Sequence, residues 1–366
     1  MKFFKLGSRP ANNANQIPQV RAGVAHVIGP GKLRCQSEHL MFETVQGKQL
    51  RIDIEGLEEV LAYGSVTPTA EAIHLLHRHG IACTLLDPAG LKVRGRIAID
   101  SSDRVLQRLL QFQAYEDASW QLSMAKGVVV GKLMSTQTAA RHYQRQGKKL
   151  STNLVNQFGE VIEAAQAAGS VDQLRGLEGH GAALWFGEFG KLFGSRWKFA
   201  GRNRRPPRDP INALLSLGYM QLYRRCTARL EAAGYEASLG ALHEFRSGRM
   251  NLACDLMEPL RIPVVDRWVV GICQQGIIRP TEFVDGAEGG IRVEPEKLVD
   301  VLGRFEEWWH QGMFRHILDE EIAKFRRSLQ EHVSQGTTRA AKLLKQRVVR
   351  YHRGDEASGK PEVYEP

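Results

Sequence analysis

The chain has 366 residues, of which 43% are hydrophobic and 25% are charged. These proportions are those of a folded globular protein, and they exclude a collagen, a coiled coil and a wholly disordered chain. Its 50 Lys and Arg residues outnumber its 40 Asp and Glu residues, which leaves a net charge of +10. An excess of positive charge favours a polyanionic partner, and nucleic acid is the first candidate.

Hydropathy and cysteine usage indicate the compartment of the protein. No segment reaches the roughly 18 consecutive apolar residues that a membrane span requires, and Met1–Leu6 lacks the apolar core of a signal peptide. We therefore expect a cytoplasmic protein without membrane contacts. The cysteines are odd in number, far apart and never in a Cys-x-x-Cys pair, so we expect reduced core residues and no disulfide or zinc site. They are Cys35, Cys83, Cys226, Cys254 and Cys273.

The first hundred residues mostly have the pattern of strands. Residues 1–20 are rich in Asn, Pro and Gln without an apolar period, which predicts an extended arm. Short alternating segments separated by Gly-containing turns follow, and they predict a β-rich domain over residues 21–100. One helix is expected within this domain, with Thr69 as its N-cap and Gly80 at its end. The segment IACTLLD then predicts a buried strand.

From residue 101 onward, apolar residues recur every three or four positions, which predicts an α-helical domain over residues 101–333. Beyond a first helical stretch at 105–134, helices are predicted around 152–167, 171–194, 209–233, 252–275 and 304–333. Residues 334–366 form a basic tail, for which a solvated end and a DNA contact both stay open. The predicted fold class is α+β, with a small β-rich N-terminal domain followed by a larger all-α catalytic domain.

Three segments of the helical domain carry residue types that bind a hard divalent metal. Glu178 lies between glycines in LRGLEGHGAALWF, where an acid faces a close helix contact or a cavity. His243 follows an apolar run in LGALHEF, and Asp255 and Glu258 lie three residues apart on one helix face. Carboxylate oxygens suit Mg²⁺ and Mn²⁺, and an imidazole shifts the preference towards Mn²⁺. A Glu, a His and one further acid would make such a site.

Each of these residues also has an ordinary structural interpretation. Glu178 could be a surface or capping acid, and His243 could be a hydrogen-bonded core imidazole. Asp255 and Glu258 could form a solvated helix face that pairs with Arg261. The residues alone leave both interpretations open. The sequence motifs of P-loop ATPases, dinucleotide-binding dehydrogenases, serine hydrolases and zinc proteases are missing from the chain.

A strongly basic loop is predicted in the middle of the helical domain. The segment SRWKFAGRNRRPPRD holds six Lys or Arg residues, and its two prolines favour an extended conformation. Such a loop fits contacts to phosphates. Trp197 and Phe199 alternate with the charges, a pattern typical of proteins that also stack on nucleic-acid bases. The alternative is a solvated loop whose arginine stems cover a hydrophobic edge.

Read in order, these segments resemble the Cas1 family, the CRISPR-associated integrases of spacer acquisition. The resemblance spans residues 30–310. In the N-terminal part it depends on HRHGIACTLLDPAGLKVRG, which is similar to the family's helix, strand and Asp-x-x-Gly turn. In the helical part it depends on LRGLEGHGAALWF, RRPPRDPINALLSLGYMQLY and LGALHEFRSGRMNLACDLMEPLRIPVVDR. The main departure is Gly234–Ala237, where the family usually has Gly-Leu-Asp-Pro.

The resemblance implies catalytic residues and a metal, Mg²⁺ or Mn²⁺. The implied metal ligands are Glu178, His243 and the second acid of the Asp-Leu-Met-Glu turn, Glu258, where several relatives have Asp. Asp255 lies beside this ligand as a further catalytic residue. The DNA-binding residues expected from the basic loop and from the resemblance are Arg202, Arg204, Arg205, Arg208, Asn212, Tyr219 and Arg249.

The implied reaction is a metal-dependent transesterification. The 3′-hydroxyl of a short double-stranded DNA fragment attacks a phosphodiester at the edge of a CRISPR repeat, and with water in its place the same site is an endonuclease. The implied partners are repeat and leader DNA, a second copy of the chain bound through the β-rich domain, and the small protein Cas2. The alternatives are a metal-dependent nuclease or transposon-type integrase of the same fold, and a non-catalytic DNA-binding scaffold.

Overall fold

The structure is a computed structural model that covers most of the chain. The predicted N-terminal arm, up to residue 18, and the predicted basic tail, from residue 335, lie outside the described residues. Gln19 and Val20, predicted as the end of the arm, belong to a strand instead. The described residues are 19–21, 23–55, 57, 59–97, 105–203, 206–244, 248–286 and 289–334.

Two sheets and one helix form the N-terminal part of the described chain. One sheet has the strand order β1-β2-β6-β8-β9, and the other has the order β5-β4-β3-β7. In the first sheet β2, β6 and β8 are parallel, and β1 and β9 are antiparallel to their neighbours. The elements are β1 (Gln19–Arg21), β2 (Val24–Ile28), β3 (Gly31–Gln36), β4 (His39–Thr44), β5 (Gln49–Ile52), β6 (Glu59–Tyr63), β7 (Val66–Pro68), α1 (Ala70–Arg78), β8 (Ala82–Leu86) and β9 (Val93–Ile97).

Helix α1 begins and ends as the sequence predicts. The hydroxyl of Thr69 accepts a hydrogen bond from the backbone N–H of Ala72 at 3.3 Å, which satisfies one of the free donors of the first turn. Gly80 follows the helix with a φ of +65°, a conformation that favours glycine. The chain then enters β8, which is the predicted IACTLLD strand.

The rest of the described chain is mostly helical, which confirms the predicted fold class. Between α7 and α8 the chain continues as a short 3₁₀ turn, Glu258–Leu260, and a π-helical segment, Arg261–Asp266. The elements are α2 (Val105–Ala114), α3 (Ala118–Arg145), α4 (Leu154–Ala167), α5 (Val171–Phe189), α6 (Pro210–Ala232), α7 (Asn251–Met257), α8 (Arg267–Gln274), β10 (Phe283–Asp285), β11 (Ile291–Val293), α9 (Pro295–Gln311) and α10 (Phe314–Ser334).

The helix predicted over 304–333 is wrong as a single element. Helix α9 already begins at Pro295, and the chain reverses at Gly312 and Met313 before α10. Met313 has a φ of +51°, and a Cβ at Gly312 would overlap the ring of Phe314. The break therefore depends on one glycine and one left-handed residue, which the apolar period does not reveal.

Strand β6 joins the two parts of the molecule. Val60 and Ala62 belong to a core between the sheets, whereas Leu61 and Tyr63 belong to the core of the helical part. Because side chains of a strand alternate between its faces, a strand that is apolar on both faces can serve both cores. The five-stranded sheet therefore packs directly on the helices.

A buried polar network lies at the same junction. The two ring nitrogens of His26 lie 3.0 Å from the Tyr63 hydroxyl and 3.1 Å from Oε1 of Glu306, which is also paired with Arg225. Burial lowers the pKa of His26, with Glu306 opposing it. Burial acts to raise the pKa of Glu306, but Arg225 and His26 hold it at about 2. The network therefore contains a neutral imidazole and an ionised carboxylate.

The hydropathy of the helices and the burial of the cysteines bear on the expected compartment. No helix in the described ranges has both the length and the apolar character to cross a membrane. All five cysteines lie within these ranges as free thiols; four are buried and Cys35 is half-buried. The predicted core location therefore holds for Cys83, Cys226, Cys254 and Cys273, whereas Cys35 is only half-buried.

Candidate functional site

Glu178 is held in place by close packing between α5 and α3. Helix α5 begins at Val171, after Ser170, whose hydroxyl caps the first turn, and Glu178 lies two turns further on. One turn beyond it, Gly181 lies so close to α3 that a Cβ there would overlap Leu133. The glycines that flank Glu178 more closely, Gly176 and Gly179, have open space around them. The close helix contact expected beside Glu178 is therefore made by Gly181.

Asp255 organises the loop that carries His243. Its carboxylate accepts hydrogen bonds from the backbone N–H groups of Ala241, Leu242 and His243 at 2.6, 2.9 and 3.2 Å. The same carboxylate lies 2.5 Å from Nδ1 of the His243 ring. Because a carboxylate only accepts, Nδ1 carries the hydrogen, and in the neutral ring the lone pair is on Nε2. Nε2 lies 3.8 Å from Oε1 of Glu258.

Glu258 is a buried carboxylate surrounded by positive charge. Its Oε1 lies 3.0 Å from Arg261 Nη2, and its Oε2 lies 2.7 Å from the ammonium of Lys132. This Oε2 atom is inaccessible to solvent and makes no hydrogen bond of good geometry. Burial acts to raise the pKa of Glu258, but Arg261 and Lys132 outweigh it and hold the pKa at about 2. Glu258 is therefore ionised at neutral pH.

Lys132 on α3 is the residue that sequence analysis missed. Its ammonium pairs with both Glu178 and Glu258, so it lies between the two carboxylates. Helix α3 passes close to the turn that carries Glu258. The approach is so close at Gly131 that a Cβ there would lie only 3.2 Å from the ring of Pro259. The only sequence feature that could have pointed to Lys132 is that it is a charged residue within the apolar run GVVVGKLM.

The donor atoms fit a divalent metal, although the side chains are not closed around one. Within the described ranges, no three or more His, Cys, Asp or Glu side chains converge as a metal cluster. The ammonium of Lys132 lies where two of the predicted ligands would meet. Two carboxylates and an imidazole whose second nitrogen is bound to Asp255 are nevertheless the donor set of known metal sites.

An electropositive pocket opens beside the carboxylates. It is lined by Lys132, Arg202, Arg261 and the ring of Tyr219. The guanidinium carbons of Arg261 and Arg202 lie 4.9 and 5.4 Å from the centre of this ring. The Tyr219 hydroxyl donates to Asp266 at 2.6 Å, and burial raises the pKa of Asp266 to about 6. Apolar side chains such as Leu133, Phe186 and Ile262 form the rest of the wall, and the two guanidiniums beside the ring are the groups there that suit a phosphate.

The structure gives Asn212 a role in shaping the basic loop. Asn212 is fully buried in the first turn of α6, and its Oδ1 accepts hydrogen bonds from Arg202 at 2.7 Å and from the backbone of Asn203 at 3.0 Å. Its Nδ2 donates to the carbonyl of Gly201 at 2.8 Å. Asn212 and Asp209, the N-cap of α6, therefore fix the loop to this helix. Direct contact of Asn212 with DNA stays a prediction.

The other predicted DNA contacts differ in exposure. Arg208 is exposed, whereas Arg249 is half-buried and its Nε donates to the Cys254 sulfur at 3.3 Å. Arg204 and Arg205 lie outside the described residues.

The stacking hypothesis for Trp197 is wrong. Trp197 is only 2% exposed, so its indole belongs to the protein core. Phe199 lies 5.7 Å from the ring of Phe189 and 6.4 Å from that of Phe193. The aromatic residues of this segment anchor the loop to the end of α5, and the alternation with charges reflects that packing.

Comparisons with known proteins agree with the fold and the motifs. A profile of the family described as CRISPR associated protein Cas1 matches residues 25–307. CRISPR-associated endonuclease Cas1 3 of Thermus thermophilus is 31% identical over 267 residues, which are 73% of this chain and 78% of the relative.

Two solved structures share the fold. A CAS1 protein from Thermotoga maritima has a TM-score of 0.75 at 20% identity, over 84% of this chain and 96% of the other. A casposase bound to integration product has a TM-score of 0.69 at 22% identity, over 78% of this chain and 82% of the other. The family match over most of the chain and the identity to the Thermus relative show that the chain belongs to the Cas1 family of CRISPR-associated proteins.

Proposed function

We propose that this chain is the integrase of CRISPR spacer acquisition, which joins the 3′-hydroxyl ends of short double-stranded DNA fragments to the CRISPR repeat. The observation that carries the proposal is that three separate segments bring Glu178, His243 and Glu258 near one another: Lys132 pairs with both carboxylates, and Nε2 of His243 lies 3.8 Å from Oε1 of Glu258. Similarity to an endonuclease of the family and to a casposase bound to its integration product supports the same reaction class.

Glu178, His243 and Glu258 would hold one Mg²⁺ or Mn²⁺ ion. When bound, the ion supplies Lewis acidity, which neutralises charge developing on the reacting phosphate and lowers the pKa of the attacking hydroxyl. Asp255 keeps the hydrogen of His243 on Nδ1 and so turns Nε2 towards Glu258. Arg261 keeps Glu258 ionised and correctly placed.

The reaction is an exchange of one phosphodiester for another. The 3′-oxygen of the fragment forms a bond to a phosphorus of the repeat, and the bond from that phosphorus to its own 3′-oxygen breaks. The fragment hydroxyl loses its proton and the departing 3′-oxygen gains one, so the step needs no external energy source. With water as the nucleophile, the same exchange is hydrolysis, the reaction of an endonuclease.

Basic residues beside the site would hold the DNA backbone. Arg202 and Arg261 line the pocket next to the carboxylates, and Arg208 is exposed on the same loop as Arg202. Together with the net charge of +10, these residues favour DNA binding without sequence preference and with a steep dependence on salt.

The family resemblance also leads us to propose an assembly. Two copies would associate through the β-rich domain, and two such dimers would flank a dimer of Cas2. Light scattering of the purified chain, alone and mixed with Cas2, measures both stoichiometries.

The test of the proposed function is strand joining into a supercoiled plasmid. A labelled fragment is incubated with wild type, Glu178→Ala or His243→Ala in Mn²⁺, in Mg²⁺ or in a chelator, and DNA binding is measured separately. We expect metal-dependent joining by the wild type only, with DNA binding kept in both variants. A fragment that lacks its 3′-hydroxyl is the matched control and must not be joined.

Other outcomes favour the alternatives. Cleavage without joining would replace the integrase with a nuclease. Joining without any preference for a CRISPR repeat would favour a transposon-type integrase. DNA binding without chemistry in either metal, with Cas2 present, would favour a scaffold.

A further inference from the structure

Lys132 occupies an unusual position for a lysine. Its side chain is only 9% exposed, and it points from α3 between Glu178 and Glu258. A buried ammonium is costly unless it is paired, and a buried carboxylate such as Glu258 has the same requirement. The lysine therefore offsets the negative charge of both carboxylates, and they in turn compensate its buried ammonium.

The ammonium and a metal ion would compete for the same oxygens. Mg²⁺ binds carboxylate oxygens at about 2.0–2.1 Å and so needs the space between the ligands. A lysine nitrogen 2.7 Å from Oε2 of Glu258 fills part of that space. Because two cations at such close range repel strongly, the same pair of oxygens cannot hold both.

The lysine also has room to move away. Its charged end sits on a flexible four-carbon stem. Glu178, one of its two partners, has a side chain that is 23% exposed, so the ammonium can turn towards solvent on that side without a shift of α3.

We propose that Lys132 is a displaceable internal cation of the metal site. Without metal it holds Glu178 and Glu258 together, and on metal binding its ammonium leaves them towards solvent, on the exposed side of Glu178. The inference depends on the proposed metal site, but it concerns metal binding and not DNA joining. Lys132 is thus a positioning residue that sets how tightly the site binds metal.

The first test uses the unmodified protein. An amine-acylating reagent is applied with and without Mn²⁺, and modification of Lys132 and Lys126 is measured by peptide mass spectrometry. Lys126 lies on the same helix, is half-buried and forms no ion pair with a carboxylate of the described residues. We expect Mn²⁺ to accelerate acylation of Lys132 by about tenfold or more, the factor for loss of one close ion pair. The rate at Lys126 stays unchanged.

The second test measures metal affinity. Mn²⁺ binding is followed by the loss of the free-ion electron-spin signal in wild type, Lys132→Met and Lys126→Met, each checked for folding by circular dichroism. We expect Lys132→Met to bind Mn²⁺ about tenfold or more tightly than wild type, and Lys126→Met to bind as wild type does. If Lys132→Met does not fold, the acylation test on wild type decides.

The outcomes separate this inference from the proposed function. Mn²⁺ that binds wild type without changing Lys132 acylation, or that binds Lys132→Met equally or more weakly, would overturn the inference even if DNA joining is observed. If Mn²⁺ accelerates acylation of Lys132 and Lys132→Met binds Mn²⁺ more tightly, but no DNA is joined, the inference is upheld and the proposed integrase function is overturned. Failure of every variant to bind Mn²⁺ would contradict both.

Discussion

Asp255 and Glu258, three residues apart, have different roles in this site. Asp255 accepts three backbone hydrogen bonds and contacts the His243 ring, so it is fully occupied in shaping the loop before α7. Glu258 makes no backbone hydrogen bond of this kind; its oxygens face Arg261 and Lys132. We therefore assign metal binding to Glu258 and orientation of His243 to Asp255.

Replacing Asp255 by Asn tests this division. The oxygen of Asn can still accept from the backbone N–H groups of the loop. The NH₂ group then faces Nδ1 of His243, and because NH₂ only donates, it cannot accept the hydrogen of Nδ1. We expect Asp255→Asn to lower the joining rate by about 10–100-fold, as is usual for a residue that orients a metal ligand, and to recover in part at higher Mn²⁺. The control is Asp285→Asn, at an exposed position of β10. Wild-type joining by Asp255→Asn would refute the orienting role.

At the scale of elements, the site depends on how closely α5 approaches α3. Gly181 permits this approach, and Glu178 lies one turn before it on α5. Lys132 and Leu133 are neighbours on α3, so the contact that brings the helices together also brings Lys132 to Glu178. Helix packing and site geometry are therefore coupled.

Substitution of Gly181 by Val should separate these helices. Leu133 is buried and cannot move aside, so we expect a loss of about 1–3 kcal/mol of unfolding free energy from overpacking, together with slower joining. Gly176→Ala, in the same helix with open space around it, should instead gain about 0.5–1 kcal/mol. Urea denaturation measures both. A Gly181→Val variant as stable as the wild type would show that the helices do not depend on this contact.

The sequence predicts most elements but only part of the site. The apolar periods and flanking caps predict α4, α5 and α6 well; α4 buries a single stripe, whereas α6 is buried on most of its surface. They do not reveal the π-helical segment Arg261–Asp266, since its extra residue per turn depends on packing against neighbours. Lys132 was missed for a similar reason, because its pairing with Glu178 joins residues 46 positions apart. The different roles of Asp255 and Glu258 likewise arise from a loop that folds back on α7.

At the scale of the whole molecule, the β-rich part and the helices are joined by a buried polar network. His26 on β2 lies between Tyr63 on β6 and Glu306 on α9, so it connects both parts. Its pKa is lowered by burial, which keeps the imidazole neutral in the folded protein. Unfolding exposes the ring, which then binds a proton at its ordinary pKa near 6.5.

This difference predicts a pH dependence of stability. A group with a lowered pKa in the folded state contributes stability above its unfolded pKa and loses it as the pH falls towards the folded pKa. Below pH 6.5 we therefore expect the titration of His26 to lower the free energy of unfolding by up to about 1.4 kcal/mol for each pH unit. Urea denaturation between pH 8 and 5 measures the slope, which should be smaller in His26→Gln. Identical slopes in both chains would mean that His26 does not titrate on unfolding.

The central claim is that Glu178, His243 and Glu258 form one metal centre that performs strand joining. The most direct measurement is pulsed electron-spin resonance of Mn²⁺ bound to wild type and to His243→Ala. We expect a coupling to one imidazole nitrogen in the wild type that disappears in His243→Ala together with joining activity. Bound Mn²⁺ without nitrogen coupling in the wild type, or a coupling that survives in His243→Ala, would contradict the claim.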